Sequence, residues 1–256
     1  MLTVLGAVQA QAGAWNQDKN HGQIIITGVW SDGSVKYDDD FDTVNIRDFS
    51  KTETRIYVEH GLTDRLTFVG NAAYQNINFT DVDSSFSYDG LDRTELGVQW
   101  QLARKQDLAV AVKASYIIDS NLPNSAVDVF SVGDMVELRG LIGQSRETSK
   151  GDFFYNAEFA LRTADFDRID SFHGEIALGW KPDDRHMILL QNYANMSPEV
   201  FFIEDRNPEQ IQFQSQLSIM RRDKKGRGMQ IGVQQTWAGR NIVKETALTV
   251  GSWLPY

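Results

Sequence analysis

Acidic and basic side chains recur two residues apart along several stretches of this chain. Glu53 and Arg55 form one such pair, and Glu137 and Arg139 form another. Side chains at positions i and i+2 of a β-strand point to the same side, so each pair could close an ion pair on one face, and neighbouring strands could link the pairs. Such a network would either satisfy a buried polar interior or present charges that set the selectivity for ions and solutes. The set predicted for this face comprises Glu53, Arg55, Glu59, Arg93, Glu95, Lys113, Glu137, Arg139, Glu158, Arg162, Glu175 and Glu245.

The near balance of signs in this set predicts weak ion selectivity, slightly in favour of cations. The whole chain carries a formal net charge of -10, which argues against nucleic acid as a partner, because that affinity comes largely from Lys and Arg on phosphates. Cysteine is absent, which excludes disulfides, thiolate metal ligands and a Cys nucleophile. We expect no cofactor.

A run of carboxylates, Asp38-Asp39-Asp40-Phe41-Asp42, could supply oxygen ligands to Ca²⁺. The run has neither the spacing of an EF-hand nor its loop glycine, and a solvated loop is the alternative. We therefore assign no metal site, and Asp38, Asp40 and Asp42 are the only candidates for one.

Alternation of apolar and polar residues divides the chain into twelve segments, each at least as long as the roughly 9–11 residues of a tilted spanning strand. No run approaches the roughly 18 apolar residues of a membrane-spanning helix. The even-numbered connections are short, whereas the odd-numbered connections 38–48, 81–89, 120–133 and 197–208 are long and polar. The predicted strands are residues 22–37, 49–61, 65–80, 90–103, 107–119, 134–146, 151–164, 168–181, 185–196, 209–222, 227–238 and 242–254.

The predicted strands have an apolar and a polar face, except 185–196, which has apolar residues on both, but alternation alone does not tell which face points inward. A soluble, lipocalin-like barrel would bury the apolar set, whereas a membrane barrel would turn it towards lipid. Aromatic residues concentrate near both ends of the strands, where they would form girdles at the lipid headgroups. The predicted girdle residues are Trp30, Trp100, Tyr116, Phe153, Trp180, Trp237 and Tyr256.

The end of the chain resembles the closing strand of Gram-negative outer-membrane β-barrels. Residues 246–254 alternate and the chain ends on aromatic Tyr256, and in that family this strand is the assembly signal. Short turns at one end and longer loops at the other are also typical of the family. The resemblance covers about residues 20–256. It implies an all-β, transmembrane, antiparallel up-and-down barrel of about twelve strands in the bacterial outer membrane. It also implies contact with outer-membrane lipid, lipopolysaccharide and the barrel-assembly machinery.

The first residues differ from the rest of the chain. Residues 2–12 are small and apolar and end in Ala10-Gln11-Ala12, an A-x-A cleavage pattern without the usual charged n-region. We predict a signal-peptide remnant over residues 1–12, a periplasmic N-terminal segment over 13–21 and a transmembrane β-barrel over 22–256.

Passive diffusion of small polar solutes through a charge-lined lumen is the function that the resemblance implies, as in a porin. Two alternatives stay open: a hydrolase at the extracellular rim, and a closed structural or export-associated barrel. None of the four histidines lies in the His-x-Ser pair of the outer-membrane phospholipase. Proteases of the omptin type pair Asp and His at the rim to activate water, which makes His173, Asp167 and Asp170 candidates here. Their motif cannot be matched residue by residue, so we assign no catalytic residue.

Overall fold

A computed structural model describes residues 13–82, 85–105, 107–119, 134–164, 170–197, 200–201, 206–207 and 209–256. Every regular element in these ranges is a β-strand. The described residues include no helix with the length and apolar character needed to cross a membrane.

Twelve long strands form the wall, and three short ones accompany them. One two-residue strand directly precedes the last long strand and pairs with the first, and the other two short strands form a small separate hairpin. The strands are β1 (Gly22–Tyr37), β2 (Thr43–Thr63), β3 (Leu66–Thr80), β4 (Ser85–Arg104), β5 (Leu108–Asp119), β6 (Met135–Thr148), β7 (Gly151–Thr163), β8 (Ser171–Lys181), β9 (His186–Ser197), β10 (Val200–Phe201), β11 (Arg206–Asn207), β12 (Gln210–Arg222), β13 (Gly228–Arg240), β14 (Ile242–Val243) and β15 (Thr246–Pro255).

The sheet closes on itself into an antiparallel barrel. β1 pairs with β2 on one side and with β15 on the other, so that Ile26 lies between Ile56 and Ser252. Each long strand pairs with its neighbours in the sheet, and closure removes the free edges that an open sheet would expose. The predicted fold and all twelve predicted strands are confirmed.

Two of the predicted long loops are instead extensions of strands. β2 begins at Thr43, where Val44 pairs with Lys36, and β4 begins at Ser85, where Phe86 pairs with Phe79. The predicted loops 38–48 and 81–89 were therefore too long. Both extensions alternate, with Val44 and Ile46 in one and Phe86 and Tyr88 in the other, but each stretch is short and rich in polar residues, and the pairing with β1 and β3 makes them strands. The predicted loop 120–133 lies outside the described residues.

The apolar face of the barrel points outward. On β13, Met229, Ile231 and Val233 are each about half exposed or more on the outer surface, whereas Gln230 and Gln234, at alternate positions, face the interior. The same alternation holds around the wall, which leaves Leu138, Phe159 and Leu217 exposed as well. A lipocalin-like barrel would show the opposite arrangement, and the structure contradicts that alternative.

Side chains in the turns fix the connections at one end. Asp183 Oδ1 accepts the backbone N–H groups of Arg185 and His186 at 2.8 and 2.9 Å. Asp223 Oδ1 accepts the N–H of Lys225 in the same way at 2.8 Å. These aspartates satisfy turn donors that would otherwise lack a partner. We call this end, which also holds Tyr256, the short-turn end, and the opposite end the loop end.

Candidate functional site: the barrel interior

The barrel encloses a polar cavity of about 490 Å³. This volume lies within the roughly 300–1,000 Å³ that small-molecule sites usually have. Two groups of polar side chains stand out in its lining. Residues of β4–β7 form a charged wall, defined as Glu95, Lys113, Glu137, Arg139, Glu158 and Arg162, and residues of β9, β12 and β13 form an amide wall, defined as Gln191, Gln212, Gln214, Gln216 and Gln234.

Glu137 is the centre of the charged wall and has no exposed side-chain surface. Its Oε1 accepts Nε of Arg139 at 2.8 Å, and its Oε2 accepts Nη2 of Arg139 at 3.0 Å and Nε of Arg162 at 2.8 Å. Arg139 also reaches across to Glu158 at 2.7 Å. A buried carboxylate that is held by two guanidinium groups has its desolvation cost offset by charge-assisted hydrogen bonds.

A second ion pair continues this wall. Lys113 donates to Oε1 of Glu95 at 2.5 Å, and the hydroxyl of Ser115 donates to the same oxygen at 2.7 Å. Lys113 lies directly across from Arg139 in the register of β5 and β6, so their two positive charges are adjacent. The carboxylates of Glu95 and Glu137 lie close enough to compensate them.

Other predicted residues pair elsewhere on the inner surface. Glu53 and Arg55 form an ion pair of 2.7 Å, and Glu245 is 2.8 Å from Lys51. Glu59 is held by neutral groups, because Tyr57 donates to it at 2.7 Å. Its other oxygen accepts the amides of Gln17 and Gln23, and Glu175 likewise accepts the amide of Gln191 at 3.0 Å.

The structure thus places the twelve charged residues predicted for the polar face on the inner surface. Ten line the cavity itself, and Glu59 and Glu137 are buried beside it. Lys51, on the same face of β2 as Glu53, lines the cavity as well. Sequence reasoning missed Lys51 and Asp92, although Lys51 lies two residues before Glu53 and the period of two could have found it. The ten are Glu53, Arg55, Arg93, Glu95, Lys113, Arg139, Glu158, Arg162, Glu175 and Glu245.

The amide wall consists of neighbouring glutamines on three strands. Gln216 is directly across from Gln191 on one side and from Gln234 on the other. One row further along, Gln214 accepts the amide of Gln234 at 2.9 Å and donates to the hydroxyl of Thr236 at 3.0 Å. This wall carries donors and acceptors in equal measure but no charge, because each amide offers both.

Apolar side chains close much of both ends. At the short-turn end, Ile25, Phe154, Leu189, Met220 and Trp253 pack inside the barrel with three neighbours. At the loop end a second cluster contains Phe49, Ile77 and Val243, among others. The polar cavity therefore lies between two apolar layers.

The N-terminal segment, residues 13–17, also lies inside the barrel at the short-turn end. Ala14, Trp15 and Asn16 are buried there, and Trp15 packs against Ala111 and Leu141. The domain prediction treated residues 13–21 as separate from the barrel, whereas the structure inserts the first five of them into its mouth. Insertion is possible because polar side chains on the inner face satisfy the backbone groups of the segment.

The candidates for rim catalysis do not form one described site. His173 contacts Oδ1 of Asn195 through Nδ1 and the hydroxyl of Ser171 through Nε2. Asp170 is buried and accepts the N–H of Ala164 at 2.6 Å. Asp167 lies outside the described residues.

The residues considered for a metal site lie in a turn, which the Asp38 side chain stabilises. Oδ1 of Asp38 accepts the backbone N–H groups of Asp40 and Asp42, each at 2.9 Å. In the part of the chain that the structure describes, no group of three or more His, Asp and Glu side chains is arranged to hold a metal ion.

The aromatic residues predicted for the girdles lie on the outer surface, six of them near strand ends and Trp30 in the middle of β1. Phe153 and Trp180 stack at 6.0 Å near the short turns, and Trp237 stacks on Phe213 at 5.3 Å nearer the loop end. The seven predicted side chains are between 36 and 56% exposed: Trp30, Trp100, Tyr116, Phe153, Trp180, Trp237 and Tyr256.

Comparison with known proteins agrees with this architecture. No family model and no curated protein matches the chain. Among solved structures, it is similar to an outer membrane channel from Pseudomonas putida F1, with 10% identity and a TM-score of 0.72 over 96% of this chain and 99% of that one. It is also similar to the NanC porin, with 9% identity and a TM-score of 0.56 over 90% of this chain and 98% of that one. The translocator domain of the autotransporter NalP from Neisseria meningitidis gives 8% identity and a TM-score of 0.53 over 97% of this chain and 90% of that one. The chain therefore has the fold of the outer-membrane β-barrels, and at these identities the likeness shows the fold alone.

Proposed function

We propose that this protein is a channel of the bacterial outer membrane through which small polar solutes diffuse passively. The observation that carries the proposal is the inverted arrangement of the barrel, with charged and amide side chains around a cavity and apolar side chains outside. Only a lipid solvent makes such an outer surface favourable, since apolar area in water costs about 25 cal/mol per Å². The resemblance to a channel and a porin supports the same function.

The proposed setting follows from the outer surface. The apolar band contacts outer-membrane lipid, the aromatic residues at its two edges lie at the headgroups, and the loop end contacts lipopolysaccharide. In this orientation both chain termini are periplasmic. The C-terminal strand, which ends at Tyr256, is the part that the barrel-assembly machinery would bind. A signal peptide over residues 1–12 remains a prediction.

Transport would proceed by brief contacts with the inner walls. A solute that enters from the loop end exchanges its water for the charged wall and the amide wall, and it leaves because no single contact is strong. The N-terminal segment and the apolar layer narrow the path at the short-turn end. We propose that the N-terminal segment is the constriction of this path. Hydrogen bonds hold it in the mouth, and it is not one of the paired strands of the wall.

Conductance in a planar bilayer tests the proposal directly. The refolded full chain should give discrete current steps, and a salt gradient should give a reversal potential near zero because the charges nearly balance. Glu53→Gln should shift the reversal potential towards anion preference and Arg55→Gln towards cation preference, since both side chains line the cavity. Silence from a correctly folded barrel, both as wild type and with the N-terminal segment released, would overturn the channel.

The closed structural barrel is the second candidate. The N-terminal segment inside the mouth and the buried network around Glu137 favour it. It predicts that releasing the segment produces no conductance, whereas the channel predicts an increase. The same recordings therefore separate the two functions.

A further inference from the structure

Several groups that face the cavity have hydrogen-bonding capacity that the described residues do not use. The side-chain amide of Gln216 makes no hydrogen bond to any of them, and Gln212 uses only its Oε1, which accepts Asn195 at 3.1 Å. On β3, Nε2 of Gln75 and Oδ1 of Asn71 are buried, and no described residue forms a hydrogen bond to either atom. A buried polar atom without a partner costs about 1–3 kcal/mol, so these groups favour a molecule that supplies both donors and acceptors.

Most charged groups around the cavity are, by contrast, engaged with one another, whereas Glu175 is held by the amide of Gln191. Lys113 is bound to Glu95, and Arg139 and Arg162 are bound to Glu137. An ion that entered would have to displace one of these partners to gain a full charge contact, and it would lose its own hydration as well. A neutral molecule does not pay that cost.

The remaining chemistry is that of hydroxyl groups. A hydroxyl donates one hydrogen bond and accepts others, and each glutamine amide offers the complementary acceptor and donors. In the amide wall, Gln191, Gln216 and Gln234 are neighbours on β9, β12 and β13. Such a row matches a molecule that carries several hydroxyl groups along its length.

We infer that the amide wall, together with Asn71 and Gln75, forms a binding site for a neutral polyhydroxylated solute of the sugar or polyol class. This inference deepens the proposed function and rests on it, because the solute must enter the lumen. The site selects by hydrogen bonding, and the charged wall acts mainly by excluding apolar molecules.

Tryptophan fluorescence of the refolded full chain in detergent micelles measures the binding independently of transport. Trp253 lines the cavity, and its indole N–H donates to Gln230 at 2.8 Å, so a bound solute should change its emission. D-glucose and sorbitol should give saturable changes. D-glucuronate and D-glucosamine, at constant ionic strength, should bind more weakly than glucose. Trp253→Phe should lose the signal.

Matched variants locate the site. Gln216→Leu and Gln75→Leu should each raise the Kd for glucose by about tenfold, which corresponds to about 1.4 kcal/mol. Leu217→Ala, at the neighbouring position on the outer surface, should leave the Kd unchanged. Equal Kd values for Gln216→Leu and the wild type, with both folded, would overturn the placement of the site.

Two results separate this inference from the channel itself. Current steps in the bilayer without saturable binding of glucose or sorbitol would overturn the inference and leave the channel intact. Binding of glucuronate or glucosamine at least about tenfold tighter than glucose would also overturn it, since the charged wall would then be the recognition element. Saturable glucose binding by a barrel that never conducts would support the site and overturn the channel.

Discussion

Inside the barrel, the backbone of Asn16 is hydrogen-bonded to the side chain of Gln101. The N–H of Asn16 donates to Oε1 of Gln101 at 2.9 Å, and Nε2 of Gln101 donates to the carbonyl of Ala14 at 2.8 Å. Gln99, two residues earlier on the same face of β4, donates to the carbonyl of Gly13 at 2.9 Å. Two glutamines of one strand therefore hold the N-terminal segment in the mouth.

Removing these two amides should release the segment. The double variant Gln99→Ala and Gln101→Ala should raise single-channel conductance several-fold, because the mouth widens when the segment leaves. Gln144→Ala is the control. Gln144 lies near the short-turn end of β6, and its side chain points to the outer surface, whereas Gly143 beside it faces the interior. Conductance that stays at the wild-type level in the double variant would show that the segment is not the constriction.

A steric change at Gly143 tests the same constriction without touching a hydrogen bond of the segment. A Cβ at this position would lie 2.3 Å from a ring carbon of Trp15, much closer than van der Waals contact allows. Gly143→Val should therefore expel Trp15 and raise conductance in the same direction as the double glutamine variant. Gly140→Val is the matched control, because a Cβ there meets no atom within 4 Å. Opposite effects of Gly143→Val and the glutamine variant would contradict the prediction.

The charged wall should dominate the stability of the interior. Glu137→Gln leaves Arg139 and Arg162 buried with less negative charge around them, and breaking a buried pair in this way costs about 3–5 kcal/mol. The free energy of unfolding, measured by denaturant titration in lipid vesicles, should fall by that amount. Glu53→Gln is the control, because the side chain of its partner Arg55 is 49% exposed and the cost should stay below about 1 kcal/mol. Equal losses in the two variants would argue against Glu137 as the centre.

The strands could be predicted from the sequence because successive side chains of a barrel strand point alternately inside and outside. Polar and apolar residues therefore alternate with a period of two. Ile231, Gln230 and their neighbours carry that pattern plainly. The extension of β2 from Thr43 was missed because a register shift in its pairing with β1 interrupts the period of two, so that Ile46 and Phe49, three residues apart, are both buried.

The interior could be predicted only in part, because its contacts are distant in sequence. The period of two placed Glu137, Arg139 and Gln216 on one polar face, but it could not show which charges meet or which amides lack a partner. The insertion of Trp15 gives no periodic signal at all. Its neighbour Asn16 binds Gln101, which is 85 residues away, and only the closed barrel brings them together.

The turn at Asp183 should show a distinct dependence on pH. Hydrogen bonds from the His186 side chain and from the N–H of Arg185 lower the pKa of Asp183 to about 2. A carboxyl group whose pKa is lowered on folding stabilises the fold above its unfolded pKa of about 4 and loses that contribution as the pH falls towards 2. The difference in unfolding free energy between wild type and Asp183→Asn should therefore shrink as the pH falls from about 5 towards 2. Asp184→Asn, one residue further on, serves as the control, and the same decrease in that variant would contradict the assignment.

The orientation of the barrel towards lipid can be tested at two adjacent residues of β13. Val233 is 56% exposed on the outer surface near the middle of the strand, whereas Gln234 faces the cavity. If the outer surface contacts lipid, Val233→Arg should lower the free energy of unfolding in vesicles by about 2–4 kcal/mol, because an arginine at the membrane midplane loses its hydration. Gln234→Arg places the same charge in the polar interior, near Glu245 on the neighbouring inner surface, and should cost much less. A barrel whose outer surface met water would give the reverse order. The arginine of Val233→Arg would then be hydrated and tolerated, whereas the added buried charge of Gln234→Arg would not be. The order of these two losses therefore decides whether the apolar surface of this barrel is a membrane surface.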